Sequence, residues 1–462
     1  MTSGRRPKPQ NQALAALLDG QGMSRKGLAY RVNLLAAEAG LRTAYKHTSV
    51  ARWLAGETPR DPVPTYIAAA LSERIGRSVT VEEIGMGASP DGAPSGWGFP
   101  RDRCEAIQGV RAHWSGQDRA RLADRFAVAG YALPVTRWLA VPADAATAGE
   151  GGRRCGREDL KELRESAEQA RLWDARFGGG DWRLSSVRQC LRERVIPLLT
   201  GTHTEQVGRE LFTITAELSR VVAWATFDSG HTGIAQQHFI QALRLARAGG
   251  DVERGTYILT TMALHTILEG APDQALDMAQ GAFHRGRRHA APRVLAFAKL
   301  AEARALGRLG DATSASSALS RAEALLEEIQ PGTHDPMWIS YVTYDRLAAD
   351  ATEIFRDLHN PKAALRWSEQ ASGMSDEVHT RAVGLRLAVV ATAAAQARDL
   401  DQALDCGHRA LDVLAPVSSA RAQDYLRAVT AALAPWAADA RVREFAERLD
   451  QRLTHAVVKE VT

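Results

Sequence analysis

The clearest chemical signal in this 462-residue sequence is a group of basic, hydroxyl and small side chains between residues 25 and 60. Arginine and lysine bind phosphate oxygens, and arginine can also make a bidentate contact to a guanine base. The methyl groups of threonine and alanine can contact the methyl group of thymine. We expect nine side chains to face a nucleic-acid partner, namely Arg25, Lys26, Lys46, His47, Thr48, Ser49, Ala51, Arg52 and Arg60.

The charge of the chain is distributed unevenly in a way that supports this expectation. Residues 1–60 contain ten Lys or Arg and three Asp or Glu, a net charge of +7. The whole chain has a formal net charge of +4, so the rest of the sequence is slightly acidic. A basic segment on a near-neutral body favours a polyanionic partner for that segment. The alternative is a solvated basic tail, but only Arg5, Arg6 and Lys8 lie in a tail-like stretch.

Short helices must position these side chains. The sequence predicts five helices in residues 1–86: Asn11–Leu18, Ser24–Ala39, a helix that Thr48 caps and Gly56 ends, Tyr66–Ile75, and a last helix that a Thr80–Glu83 capping box begins and Met86 ends. In the third of these, the spacing of Val50, Trp53 and Leu54 places their side chains on the inward face. The outward face is then left to His47, Thr48, Ser49, Ala51 and Arg52.

Two stretches of this region resemble a known class of DNA-binding domain. SRKGLAYRVN (24–33) resembles the second helix of the lambda-repressor-type, Xre-like helix-turn-helix domain, and HTSVARWLAGETPRDPVPTYIAAAL (47–71) resembles its recognition helix and the two elements that follow. The sequence departs from the compact class between Ala29 and Val50, which are 21 positions apart. The resemblance implies that double-stranded DNA is the partner. The alternative is an unrelated small helical domain.

The second half of the chain contains a degenerate repeat. Five turns are each followed by a helix start with a small residue in the same phase, at Ala235, Ala275, Ala315, Ala364 and Ala403. The spacings of 40, 40, 49 and 39 residues leave room for two helices per repeat. This pattern is typical of a helical-hairpin solenoid and resembles the tetratricopeptide repeat. The alternative is a non-repetitive helical bundle.

The amino-acid composition and two glycine- and proline-rich stretches complete the predicted organisation. Charged residues make up 24% and hydrophobic ones 45%, and Ala, Leu and Arg dominate, which favours an all-α globular protein. Glycine- and proline-rich stretches at 85–100 and 141–156 predict linkers. We therefore expect a helix-turn-helix domain at 1–86, linkers with a short helical middle segment at 87–156, and a tetratricopeptide-like repeat domain at 157–456.

The first helices of the predicted hairpins suggest a ligand groove. Its candidate residues are Tyr257, His265, Arg304, Trp338, Tyr341, Tyr344, Asp345 and Arg381. Arginines that face inward opposite few acids would favour an anionic ligand or a peptide carboxylate. On a predicted helix from Trp338 to Leu358, the residues Trp338, Tyr341 and Asp345 share one face, although packing in the core is the favoured role for these aromatic residues.

Several chemistries have no support in the sequence. There is no GxxxxGK[ST], no HExxH and no GxSxG, so we expect no catalytic site, no metal site and no cofactor. The four cysteines form no CxxC pair, which fits a reducing compartment. No secretory signal and no apolar stretch long enough for a membrane helix is present, so we expect a cytoplasmic, nucleoid-associated protein.

The order of a helix-turn-helix, a linker and helical repeats resembles actinobacterial transcriptional regulators. It implies a sequence-specific DNA-binding regulator whose repeats bind a peptide, a small molecule or a protein partner and mediate homodimerisation. The dimer interface is expected on the helix 441–453, through Val442, Phe445, Leu449 and Leu453. The alternative is a helical-repeat scaffold for protein interactions that does not bind DNA.

Overall fold

The computed structural model describes residues 11–20, 23–38, 41, 43–59, 62–75, 79, 81, 83–86, 98–115, 125–140, 153–177, 183–371, 373 and 380–461. Over these residues the regular structure is entirely helical, which confirms the all-α prediction. The chain divides into two compact units, residues 1–94 and residues 95–462. No helix in the described part of the chain is both long and apolar enough to cross a lipid bilayer.

The first unit, here called the head, contains four helices: α1 (Gln12–Gly20), α2 (Arg25–Glu38), α3 (His47–Leu54) and α4 (Val63–Ile75). Leu28, Val32, Val50, Trp53 and Ile67 form the centre of its core. Where a fifth helix was predicted, Val81 and residues 83–85 form turns. The Thr80 end of the predicted capping box lies outside the described residues.

The second unit, here called the body, begins with helices that precede the repeats. These are α5 (Arg103–Ser115), α6 (Ala129–Ala140), α7 (Arg157–Phe177), α8 (Arg183–Cys190), a π-helical turn (Leu191–Val195) and α9 (Ile196–Leu199). The prediction that residues 101–140 are a middle segment between linkers was wrong, because Phe99, Trp114 and Trp138 are buried in the core of the body. A Cβ added at Gly255 would lie 2.0 Å from the Trp138 ring, so the absence of a side chain there makes room for it. The predicted linker residues 87–97 and 141–152 lie outside the described part.

Six pairs of helices follow. They are α10 (Glu205–Asp228) with α11 (Thr232–Gly249), α12 (Val252–Leu268) with α13 (Pro272–Gly286), α14 (Pro292–Leu309) with α15 (Ala312–Glu327), α16 (Tyr344–Asp357) with α17 (Pro361–Gln370), α18 (Thr380–Gln396) with α19 (Leu400–Leu414), and α20 (Ala420–Ala432) with α21 (Ala440–Val461). In the first five pairs, two or three residues join the helices, so these pairs are hairpins. The predicted anchor residues, Ala235, Ala275, Ala315, Ala364 and Ala403, are all fully buried on the second helix of a hairpin.

The same turn geometry recurs five residues before each anchor. Gly230, Gly270 and Gly310 have φ angles between 80° and 88°, and His359 and Arg398 take the same left-handed backbone at 51° and 66°. In the last three of these hairpins the second helix is capped by a side chain, from Asp311, Asn360 and Asp399. The residue with left-handed backbone ends the first helix, and the capping side-chain oxygen begins the second. The repeated structure therefore does not require a common sequence.

The prediction that α21 supplies a dimer interface was wrong in its residues. Val442, Phe445 and Leu449 are buried within the chain, in a cluster with residues of α19 and α20, and Leu453 is partly buried against the same cluster. These side chains give the last hairpin its own core and are not available to a second copy.

Candidate nucleic-acid interface

Helix α3 has one face fixed in the core of the head. Val50 and Trp53 are buried, and the Trp53 ring meets the Tyr45 ring edge-on with their centroids 5.3 Å apart. The helix begins at His47, one residue before the predicted cap at Thr48, and Lys46 occupies the N-cap position. The backbone N–H of Lys46 donates to Ser49 Oγ at 3.4 Å, which helps to fix the start of the helix.

The opposite face of α3 presents most of the predicted contact residues. His47, Thr48 and Arg52 are exposed, and Ala51 is half-buried. Ser49 was predicted to face the partner, but it is 7% exposed because its hydroxyl is used in the N-terminal hydrogen bond. The hydroxyl group three residues after the cap is the signal in the sequence that would have assigned it a structural role.

The basic residues around α3 are free to contact a partner. Arg25, Lys26 and Lys46 are exposed, and none of them forms an ion pair with any residue that the structure describes. Arg52 lies 3.8 Å from Glu57, with both side chains more than half exposed, so this contact is weak. Arg60, the ninth predicted contact residue, lies outside the described part of the chain.

Asn33 organises the long connection between α2 and α3. Its side-chain amide donates to the carbonyl oxygen of Tyr45 at 2.9 Å, and its Oδ1 accepts from the Tyr45 N–H at 2.9 Å and from the Thr43 hydroxyl at 2.8 Å. One side chain on α2 thereby holds the segment immediately before α3. The sequence analysis missed this residue, although an asparagine inside a helix commonly bonds to nearby backbone.

Two further side chains tie the ends of the head together. Asn11 donates to the carbonyl oxygen of Ile84 at 2.8 Å, so the start of α1 meets the last turn of the unit. Arg31 pairs with Glu73 at 2.5 Å and joins α2 to α4. The hydrogen bond from Arg31 lowers the pKa of Glu73 despite a small opposing effect of burial.

The residues predicted to line a ligand groove in the body are mostly interior. Tyr257, His265, Arg304 and Arg381 are each 7% exposed or less. The expectation that the arginines face few acids was wrong. Arg304 pairs with Glu353 at 2.8 Å, and Arg381 binds Asp174 and Asp228 at 2.9 and 3.0 Å.

The aromatic cluster near residue 340 does not lie on one helix as predicted. Met337–Ile339 is a 3₁₀ turn and α16 begins at Tyr344, because Thr343 caps it. Trp338 stacks on the guanidinium of Arg254 at 3.8 Å, and the Tyr341 hydroxyl lies 3.1 Å from that of Tyr257, so both rings pack on the core.

The remaining two groove candidates have local partners. Tyr344 is half-exposed and donates to Gln370 at 2.8 Å, and Asp345 accepts from the backbone N–H of Gly373 at 3.0 Å. These contacts hold the segment after α17 and do not form a groove with Tyr257 or Arg381.

Buried carboxylates organise the arginines of the body. Glu217 contacts Arg220 at 3.0 Å, Arg254 at 3.1 Å and Arg171 at 3.3 Å. Burial alone would raise the pKa of Glu217, but the three guanidinium groups outweigh it and hold that pKa far below its usual range. This arrangement gives three arginines one shared buried carboxylate. Among the described residues there is no set of three or more His, Cys, Asp or Glu that could hold a metal ion.

The comparison with known proteins concerns the head alone. A family model described as the SP15 N-terminal domain matches residues 14–87. This stretch coincides with the four helices of the head and their closing turns. No curated protein matches the chain.

Proposed function

We propose that the head binds double-stranded DNA through α3 and that the chain is a transcriptional regulator. The observation that carries the proposal is the two-sided character of α3. Its inner face is locked by Val50 and Trp53, while His47, Thr48 and Arg52 stand exposed on the other side. A rigid helix with an exposed polar face beside unpaired cations is suited to the major groove of DNA.

Each exposed residue has a distinct task in this proposal. Arg52 makes a bidentate hydrogen bond to a guanine, and Thr48 or Ala51 contacts a thymine methyl group. Arg25, Lys26 and Lys46 bind backbone phosphates, which set affinity and orientation without reading sequence. Asn33 positions α3 through the segment before it and does not touch DNA.

The body completes the proposed regulator. We expect it to receive a ligand or a partner protein and to bring two heads together, since one small head makes few phosphate contacts and a dimer doubles them. A homodimer would bind two half-sites about one helical turn apart. Light scattering at tens of micromolar tests the pairing, and a monomer would rule it out.

The DNA proposal is tested with the full-length chain. Selection from random duplexes should enrich a defined sequence, and fluorescence anisotropy then measures the affinity for it. Arg52→Ala should cost about 1–3 kcal/mol on the selected site and much less on a site changed at one guanine. Lys26→Ala should instead weaken binding to both sequences by about the same factor.

The matched control is Arg409→Ala in the body, because Arg409 is as exposed as Arg52 and forms a similar weak pair, with Asp405. This variant should bind DNA like the wild type. If the selection enriches no sequence and the chain binds no duplex at low salt, the DNA proposal fails and the scaffold interpretation replaces it.

A further inference from the structure

A cavity of about 580 Å³ lies in the body where the turns of several hairpins meet α20. Its wall includes Phe227, Leu268, Arg356, Gln396, Arg421 and Tyr425, which come from five different helix pairs. Ala428 also lines it and is exposed, so the cavity opens to solvent at that point. The volume is in the range of sites for small organic ligands.

The side of the cavity formed by α20 is held in place by one carboxylate. Asp228, at the end of α10, is fully buried and accepts hydrogen bonds from Arg381 at 3.0 Å and from the Ser419 hydroxyl at 2.9 Å. These bonds connect the first hairpin to the fifth hairpin and to the residue that caps α20.

Most cations at the cavity already have acidic partners. Arg308 pairs with Asp357 at 2.6 Å, and Arg356 pairs with Asp357 at 2.7 Å and with Glu353 at 3.2 Å. The Tyr425 hydroxyl also donates to Glu353, at 2.5 Å.

Arg421 differs from these arginines. It donates no hydrogen bond to any residue in the described part of the chain. Its nearest acid is Asp228, 3.3 Å from Nε, and that carboxylate is already bonded by Arg381 and Ser419. The side chain is only 14% exposed, and it shares its acid, Asp228, with Arg381. Burial lowers the pKa of Arg421, and the neighbouring Arg381 adds to this effect while Asp228 opposes it. A guanidinium in such a position favours an added anion.

We propose that this cavity binds a small organic molecule with a single carboxylate, which the Arg421 guanidinium holds with two N–H groups. A carboxylate matches the planar pair of donors on arginine. Phe227 and Leu268 provide an apolar wall for the rest of the molecule.

A single charge fits the site better than a phosphate dianion does. Glu269, Asp357 and Asp424 also line the cavity, so a second negative charge on the ligand would be repelled by these carboxylates. The role of this molecule as a signal rests on the proposed regulatory function, whereas its binding does not.

The experiment measures binding to the full-length chain by calorimetry. The probes are acetate, hexanoate, benzoate and phenylacetate, with hexanamide and benzamide as neutral counterparts and inorganic phosphate as the dianion. At least one monocarboxylate should bind, at least tenfold more tightly than its amide and than phosphate. Arg421→Gln should weaken that binding at least tenfold.

A second variant distinguishes a loss of the binding site from a loss of folding. Ala428→Trp places a large ring at the exposed mouth and leaves Arg421 and Asp228 unchanged, so it should abolish binding without lowering the melting temperature. Arg443→Gln, an exposed arginine of α21 outside the cavity, should bind like the wild type. The proposal is overturned if no monocarboxylate binds, if phosphate binds best, or if both cavity variants bind like the wild type. A chain that shows Arg421-dependent carboxylate binding but no DNA binding would keep this site and remove the DNA proposal.

Discussion

The basic side chains of the head and those in the interior of the body lie in opposite environments. Around α3, Arg25, Lys26 and Lys46 are exposed and lack acidic partners among the described residues. In the body, Arg220 and Arg304 are buried and each lies within 3.0 Å of a glutamate oxygen. The difference shows that the number of arginines in a region says little about its partners. What matters is whether each charge has already been neutralised within the chain.

The cost of burial explains this division. A buried cation without a partner loses its hydration and gains nothing in return, so the interior of the body supplies a carboxylate for groups of arginines. An exposed cation keeps its hydration and remains able to exchange it for a phosphate. The comparison therefore predicts large stability effects in the body and large binding effects in the head.

The largest expected effect is the loss of a buried carboxylate. Glu217→Gln should reduce the free energy of unfolding by about 3–5 kcal/mol, because three guanidinium groups would lose their common counter-charge. The same substitution in the head, Glu73→Gln, breaks the half-exposed pair with Arg31 and should cost less than about 1 kcal/mol. Urea unfolding of the two variants measures both values, and equal costs would contradict the proposed difference between the regions.

The next effect is the sensitivity of the body to acid. His113 and His238 lie 3.3 Å apart in the interior, and burial lowers the pKa of His113 to about 4, that of His265 to about 3, and that of His238 well below its usual range. Between pH 6.5 and 4 the unfolded chain takes up protons that the folded body does not. Each of these histidines therefore lowers the free energy of unfolding by about 1.4 kcal/mol for each unit by which the pH falls.

Calorimetry of the full chain between pH 7 and pH 5 tests this expectation. The melting temperature of the body should fall with pH, and His113→Gln should make the dependence shallower by the contribution of one histidine. The head has a single histidine, the exposed His47, and no buried one among its described residues. A body transition that is constant over this range would show that the buried histidines titrate normally.

A further stability effect, smaller than that of Glu217→Gln, concerns the segment before α3. Asn33→Ala removes three hydrogen bonds and should destabilise the head by about 1–2 kcal/mol, and it should also weaken DNA binding although Asn33 does not contact DNA. Thr43→Val removes one of the three bonds and should show a smaller change in both measurements. An Asn33→Ala variant with unchanged DNA affinity would mean that this segment does not position α3.

Local patterns in the sequence predicted the helices and part of the candidate interface. The spacing of Val50 and Trp53 identified the inner face of α3, and the buried alanines, such as Ala235 and Ala275, identified the hairpins. These features repeat within one or two helical turns or at a fixed period, so they are visible without a structure.

The ion pairs of the body could not be predicted in this way. Arg381 and Asp174 are 207 positions apart, and no local spacing relates them. The same limit hid the difference between Arg381, which has two acids, and Arg421, which shares one of them. The role of residues 101–140 was a different kind of error, because Trp114 and Trp138 are large aromatic side chains that linkers seldom contain.

The most direct test of the account is the salt dependence of DNA binding by the full-length chain. The logarithm of the affinity for the selected duplex is measured between 50 and 200 mM salt, for the wild type and for a variant with Arg25→Gln, Lys26→Gln and Lys46→Gln. Each lost phosphate contact should reduce the slope by about 0.9, so the triple variant should have a slope shallower by about 2.7 for each bound head, or about 5.4 for the proposed dimer. Identical slopes, or a wild type that binds no DNA at 50 mM salt, would contradict the claim that the exposed cations around α3 bind DNA.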